Sequence, residues 1–149
     1  MPLCFGAASL LVTFLGNWME NTMFTKIYLL ILAVVFIAYG LYCLVFPEVL
    51  AGPAGVAAQS LTGTIELQAM YGGLQTAVGV LCLFGALNMQ LRGTALQALL
   101  FIFVGLGVPR LTLALVHGDF SGYTLGAAVF EVASAVIMLF CLRAHRQVQ

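Results

Sequence analysis

Residues 94–116 read TALQALLFIFVGLGVPRLTLALV, a run whose one charge is Arg110. Coiled as a helix at ~1.5 Å per residue, it is long enough to cross the ~30 Å hydrocarbon core of a bilayer. It is continuously apolar rather than alternating, which selects a helix over a barrel strand. Three further runs of the same kind surround it, at 27–46, 67–87 and 123–142. Turn-forming residues separate them: Pro47, Gly52, Pro53 and Gly55 in the first gap, Asn88 to Gly93 in the second, His117 to Gly122 in the third. The expected fold is all-α, an integral membrane four-helix bundle.

Composition points the same way. The chain is 63% hydrophobic and 7% charged, against about 45–50% and about 25% for a soluble domain. Its mean hydropathy of +1.13 describes a surface that water cannot cover and lipid can. Five basic and five acidic residues cancel, and no basic run offers itself to phosphates, so nucleic acid is not an expected partner. Cys4, Cys43, Cys82 and Cys141 lie far apart without a Cys-x-x-Cys pair and read as small apolar packers. His117 and His145 have no intramembrane partner histidine, so no metal site is expected.

Basic residues near span ends are retained in the cytoplasm. Lys26, Arg92, Arg143 and Arg146 all belong to one side of the bundle, and the opposite loops hold Glu48 and Asp119. Both termini are therefore expected in the cytoplasm, with Tyr28, Tyr42, Tyr71 and Tyr123 near the interfaces. Residues 1–22 are treated apart from the 23–149 membrane domain. Pro2 to Gly16 is apolar but short, and lacks a basic n-region or cleavage site. The stretch is expected to be an interfacial or re-entrant helix, or an upstream extension of the reading frame ahead of Met23.

Ionisable residues inside spans carry most of the functional signal, because a charge at bilayer depth costs a few kcal/mol unless it finds a partner. Arg110 lies ~9 Å and Glu131 ~12 Å from the outer ends of their spans, level enough to pair, and the long guanidinium also reaches toward Glu66 at the outer start of its span. At ~100° per residue, Thr124, Ala127, Ala128, Glu131, Ser134 and Ala135 share one face. The second span has two stripes. One holds Glu66, Ala69, Gly73 and Ala77, the other Gln68, Tyr71, Gln75, Gly79 and Cys82, which predicts protein contact on two sides and makes it the most enclosed helix. Pro109 with Gly105 predicts a kink ahead of Arg110. Candidate pocket-lining residues are Tyr71, Gln75, Gln68 and His117.

Residues 23–142 resemble a domain-of-unknown-function family of small four-helix bacterial membrane proteins, distantly akin to DoxX- and DoxD-like proteins. The similarity rests on Gly40 with Pro47, the string Glu66-Leu-Gln-Ala-Met-Tyr71-Gly72-Gly73, Arg110, Gly118-Asp119 and Glu131. The position of Gln68 is often Arg in such proteins. The resemblance implies a bacterial inner-membrane location. DoxD-like proteins are linked to quinone-dependent sulfur oxidation, an activity too distant to transfer.

The sequence holds no grouped nucleophile and base, no metal-ligand set and no cofactor motif. It reads as a non-enzymatic bundle that binds a partner protein or lipid, or self-associates, clamped by Arg110, Glu131 and Glu66. The alternative is a small transporter, or an oxidoreductase subunit binding quinone or lipid in an outward-facing polar pocket. A cavity reaching the charges favours ligand binding; a sealed pair favours the clamp.

Overall fold

The computed structural model describes residues 22–147. The reading of residues 1–22 and the packing of Cys4 thus fall outside the described residues, Thr22 excepted. Four helices, each long and apolar enough to cross a membrane, account for nearly all of the described chain. Helix α1 spans Thr22–Val45 and is followed by a single 3-10 turn, Pro47–Ala51, that buries Leu50. Helix α2 covers Leu61–Leu87, α3 Met89–His117 and α4 Gly122–Gln147. There is no strand among the described residues.

Each helix runs past its expected span at one end or both, and two of these extensions change how the loops read. Helix α2 begins at Leu61 rather than near residue 67, because Ser60 caps it: its Oγ accepts from Gly63 N at 3.1 Å, while Thr64 Oγ1 donates to Ser60 O at 3.2 Å. The polar Thr62, Gly63, Thr64 and Glu66 in this first stretch hide it from a hydropathy reading. The expected loop from Asn88 to Gly93 contracts to Asn88 alone. That residue ends α2 and caps α3, its Oδ1 accepting from Gln90 N at 2.9 Å and Leu91 N at 3.4 Å.

Arg92 thereby moves from a loop into the first turns of α3, where it is buried. Its Nε donates to Gly85 O and its Nη2 to Ala86 O, both at 3.0 Å, satisfying carbonyls that the end of α2 leaves without helical donors. The opposite turn falls where expected but is shorter, residues 118–121. Gly118 closes α3 with a left-handed φ of 68°, and Asp119 receives Thr124 Oγ1 at 2.7 Å and Ser121 N at 3.0 Å. Those two donors, the Thr124 hydroxyl first, hold the exposed Asp119 carboxyl below its ordinary range.

The four helices pack as two pairs, α1 on α2 and α3 on α4, joined chiefly through α2 and α3. Within the first pair the backbones nearly touch. A Cβ on Gly79 would lie 2.7 Å from Ile37 N, and one on Gly72 would lie 2.9 Å from Leu44 N. Lipid gives helices no hydrophobic reason to associate, so this close backbone approach supplies the contact.

Residues Gln68–Gly73 form a π segment inside α2. The extra residue per turn breaks the 100° register assumed for the two stripes. Gln68 is drawn toward α1, its Nε2 donating to Leu44 O at 2.7 Å. Glu66, Ala69 and Ala77 are left exposed, while Tyr71, Gln75, Gly79 and Cys82 turn inward. Helix α2 is therefore enclosed on one side and to the same degree as α4, not the most enclosed of the four.

Packing is uneven along the bundle. The buried core draws on Leu29 and Leu32 of α1, Val78 and Cys82 of α2, Leu96 and Leu99 of α3, and Met138 and Cys141 of α4. All eight fall in the half of the bundle that ends at Asn88. There Tyr28 also joins α1 to α4, its hydroxyl donating to Ser134 Oγ at 3.0 Å. Phe36, Phe103 and Phe130 meet above this core, with ring centroids 5.7–6.2 Å apart. Beyond them, toward Gly118, the helix pairs do not close on each other.

Candidate functional site

The space between the pairs is a cavity of about 780 Å³ to which all four helices contribute. This lies within the roughly 300–1,000 Å³ range of small-molecule sites. The three phenylalanines form its floor. Its walls are apolar, from Val35, Leu74, Val78, Phe101, Ile102 and Leu106, and its polar groups are Tyr39, Tyr71, Gln75, Tyr123, Arg110 and Glu131.

Arg110 and Glu131 face each other across α3 and α4. Arg110 Nε donates to Oε1 at 3.0 Å and to Oε2 at 2.8 Å, and Nη2 donates to Oε1 at 2.8 Å. This is the forked geometry that guanidinium and carboxylate make best. Gly107 permits it: a Cβ there would stand 3.2 Å from Glu131 Cβ, so a larger residue one turn before Arg110 would push α4 away. The Glu131 side chain is 7% exposed and that of Arg110 31%. The carboxylate is thus held by its partner, while the guanidinium reaches the cavity with Nη1 making no hydrogen bond among the described residues.

The inward face expected for α4 is the one observed, with Ala128, Glu131 and Ser134 buried. Of the expected pocket residues, Tyr71 and Gln75 line the cavity. Tyr71 does so because α2 starts early, which places it inside the span instead of at an interface. Gln68 is engaged with Leu44, and His117 sits exposed at the end of α3. Glu66 is exposed, forms no ion pair among the described residues and does not line the cavity. Pro109 does not end α3, whose helical backbone continues to His117, and Gly105 lines the cavity wall.

Sequence reasoning missed Tyr39, Tyr123 and the aromatic floor. The spacing of Val35, Phe36 and Tyr39 on one helical face was the available signal, but nothing in the sequence told a core face from a cavity face. It also missed the capping role of Arg92. Chemically the site is suited to holding a molecule: an apolar body between the helix pairs and a polar group against Arg110. Among the described residues, no three His, Cys, Asp or Glu side chains are grouped to hold a metal ion.

The model of the DUF4345 family, a domain of unknown function, matches residues 24–142. The chain belongs to this family. The matched stretch runs from the first turn of α1 to the last turns of α4, so the DUF4345 domain contains the helix pairs, the cavity and the Arg110–Glu131 pair together. No curated protein and no solved structure matches the chain.

Proposed function

We propose that this DUF4345 bundle is a non-enzymatic membrane protein that holds a lipid-like molecule, a lipid or a quinone, between its two helix pairs. The supporting observation is a cavity of about 780 Å³ that reaches an ion pair in the less tightly packed half of the bundle. A purely structural clamp needs no such space, and close packing around the pair would serve it better. The pair has two tasks in this reading: it joins α3 to α4, and it presents the polar end of the site.

We place the protein in a bacterial inner membrane with both termini in the cytoplasm. The family resemblance supports the first part; the gathering of Lys26, Arg92 and Arg143 at the Asn88 end supports the second. A second reading, docking of a partner protein or a second copy, draws on the exposed Glu66, Ala69 and Ala77 of α2, since a carboxylate and small residues suit a neighbouring helix better than lipid tails.

Native mass spectrometry of protein extracted gently from its own membrane tests the proposal. The wild type is expected to carry a bound small molecule that is lost in Ala127→Phe, which fills the cavity beside the ion pair. Retention of that molecule by Ala127→Phe, or a wild type that carries nothing, overturns it. A complex with a stoichiometric protein partner, broken by changes at Glu66 and not at the cavity, favours the second reading.

A further inference from the structure

Charge balance and the exposed part of the cavity lining narrow the ligand class. Arg110 and Glu131 are the only charged side chains lining the cavity among the described residues, and they neutralise each other through three hydrogen bonds. An ionised headgroup placed there would add an unpaired charge to an apolar enclosure, an arrangement that costs far more than burying a neutral polar group. The groups left to meet a ligand are suited to a neutral head. Arg110 Nη1 is a donor without a partner among the described residues, and Tyr71 and Tyr123 each carry a hydroxyl that donates or accepts. Pro109 has no N–H to offer the carbonyl of Gly105, a residue of the cavity wall.

Between α2 and α3 the cavity lining is exposed at the depth of the hydrocarbon: Leu74 and Phe101 lie close to the midpoints of α2 and α3 and are 51% and 79% exposed. Met70 and Leu106 are exposed beside them. Gly105 stands in this gap with open space where a side chain would be: an added Cβ meets nothing within 4 Å. We infer that the ligand is an uncharged lipid bearing ester, ketone or hydroxyl oxygens, and that it enters sideways from the bilayer between α2 and α3, past Gly105. The inference rests on the cavity reading above and goes beyond it in head charge and route.

The test uses the full chain in phosphatidylcholine nanodiscs with two photoreactive lipids that have the same acyl chains, a diacylglycerol and a phosphatidic acid, and adducts mapped by peptide mass spectrometry. The diacylglycerol is expected to label cavity residues such as Phe130 and Ile102, competed by unlabelled diacylglycerol, and the phosphatidic acid about tenfold less. Gly105→Trp, with an unchanged melting temperature, is expected to slow cavity labelling at least severalfold. Phe101→Ala, which removes an exposed side chain from the rim, should match or exceed the wild-type rate, so the route stays testable if the tryptophan variant fails to fold.

Equal labelling by phosphatidic acid overturns the neutral head and leaves the cavity reading standing. Undiminished labelling in a folded Gly105→Trp, or slowed labelling in Phe101→Ala, overturns the route. Adducts from both probes confined to outward residues such as Val104 and Val108 overturn the cavity reading itself.

Discussion

Cutting the ion pair from each side should cost different amounts. Arg110→Met leaves the Glu131 carboxylate 7% exposed with no donor in place of three hydrogen bonds. Removing one partner of a buried pair costs about 3–5 kcal/mol, and the low exposure of Glu131 puts this variant toward the upper part of that range. Glu131→Gln strands a guanidinium that is 31% exposed on a long side chain and can still donate to the new amide oxygen. Its loss should be nearer to that of an ordinary charged hydrogen bond, about 1.5–3 kcal/mol. The double variant strands nothing and should lose less than the sum by roughly 1–3 kcal/mol.

Equilibrium unfolding in mixed micelles reads all four corners of the cycle. Additive losses to within about 0.5 kcal/mol, or an Arg110→Met loss no larger than that of Glu131→Gln, would refute the reasoning.

Glycine replacements should change sign with position. Gly79→Ala drives a methyl to within 2.7 Å of Ile37 N and 3.1 Å of Ala33 O, so overpacking of about 1–3 kcal/mol outweighs the gain in helix propensity. Gly105→Ala meets open space and should gain up to about 1 kcal/mol; melting temperatures that move in the same direction contradict this. Arg92→Met uncovers the carbonyls of Gly85 and Ala86 and should destabilise by about 2–4 kcal/mol. Arg92→Lys should recover less than half of it, because one ammonium cannot copy the two-pronged contact; full rescue in the same unfolding assay would argue against the cap. The Asp119 carboxyl, held low by Thr124 and Ser121, contributes stability that is fully present above its unfolded value of about 3.9 and lost as pH falls through the folded one. Asp119→Asn should remove that part of the acid sensitivity, as measured by thermal unfolding between pH 6 and 3.

The spans were legible in the sequence because hydrocarbon demands long uninterrupted apolar runs, and the Arg110–Glu131 pairing because depth along a helix is counted in residues. The inward face of α4 followed from the same 3.6-residue geometry. What escaped depends on other scales. The first turn of α2 is polar enough to pass for loop, and its cap, Ser60, acts through one hydrogen bond that hydropathy does not register. The π segment has no local signature of its own; the close approach of Gly72 to α1 and the reach of Gln68 to Leu44 accompany it. Arg92 resembles a loop charge until a turn of one residue brings it over the end of α2. The cavity is the hardest to read, since Val35, Phe36 and Tyr39 would have the same periodicity facing a packed core.

The central claim is that the half of the bundle holding Arg110 encloses a bilayer molecule. An experimental structure in nanodiscs made from native lipid tests it most directly. The account predicts elongated density between the two helix pairs, with its polar end within hydrogen-bonding distance of Arg110 Nη1 and its tail leaving beside Gly105. Helix pairs closed together over Phe103, with Tyr39, Tyr71 and Tyr123 filling the space themselves, would contradict it.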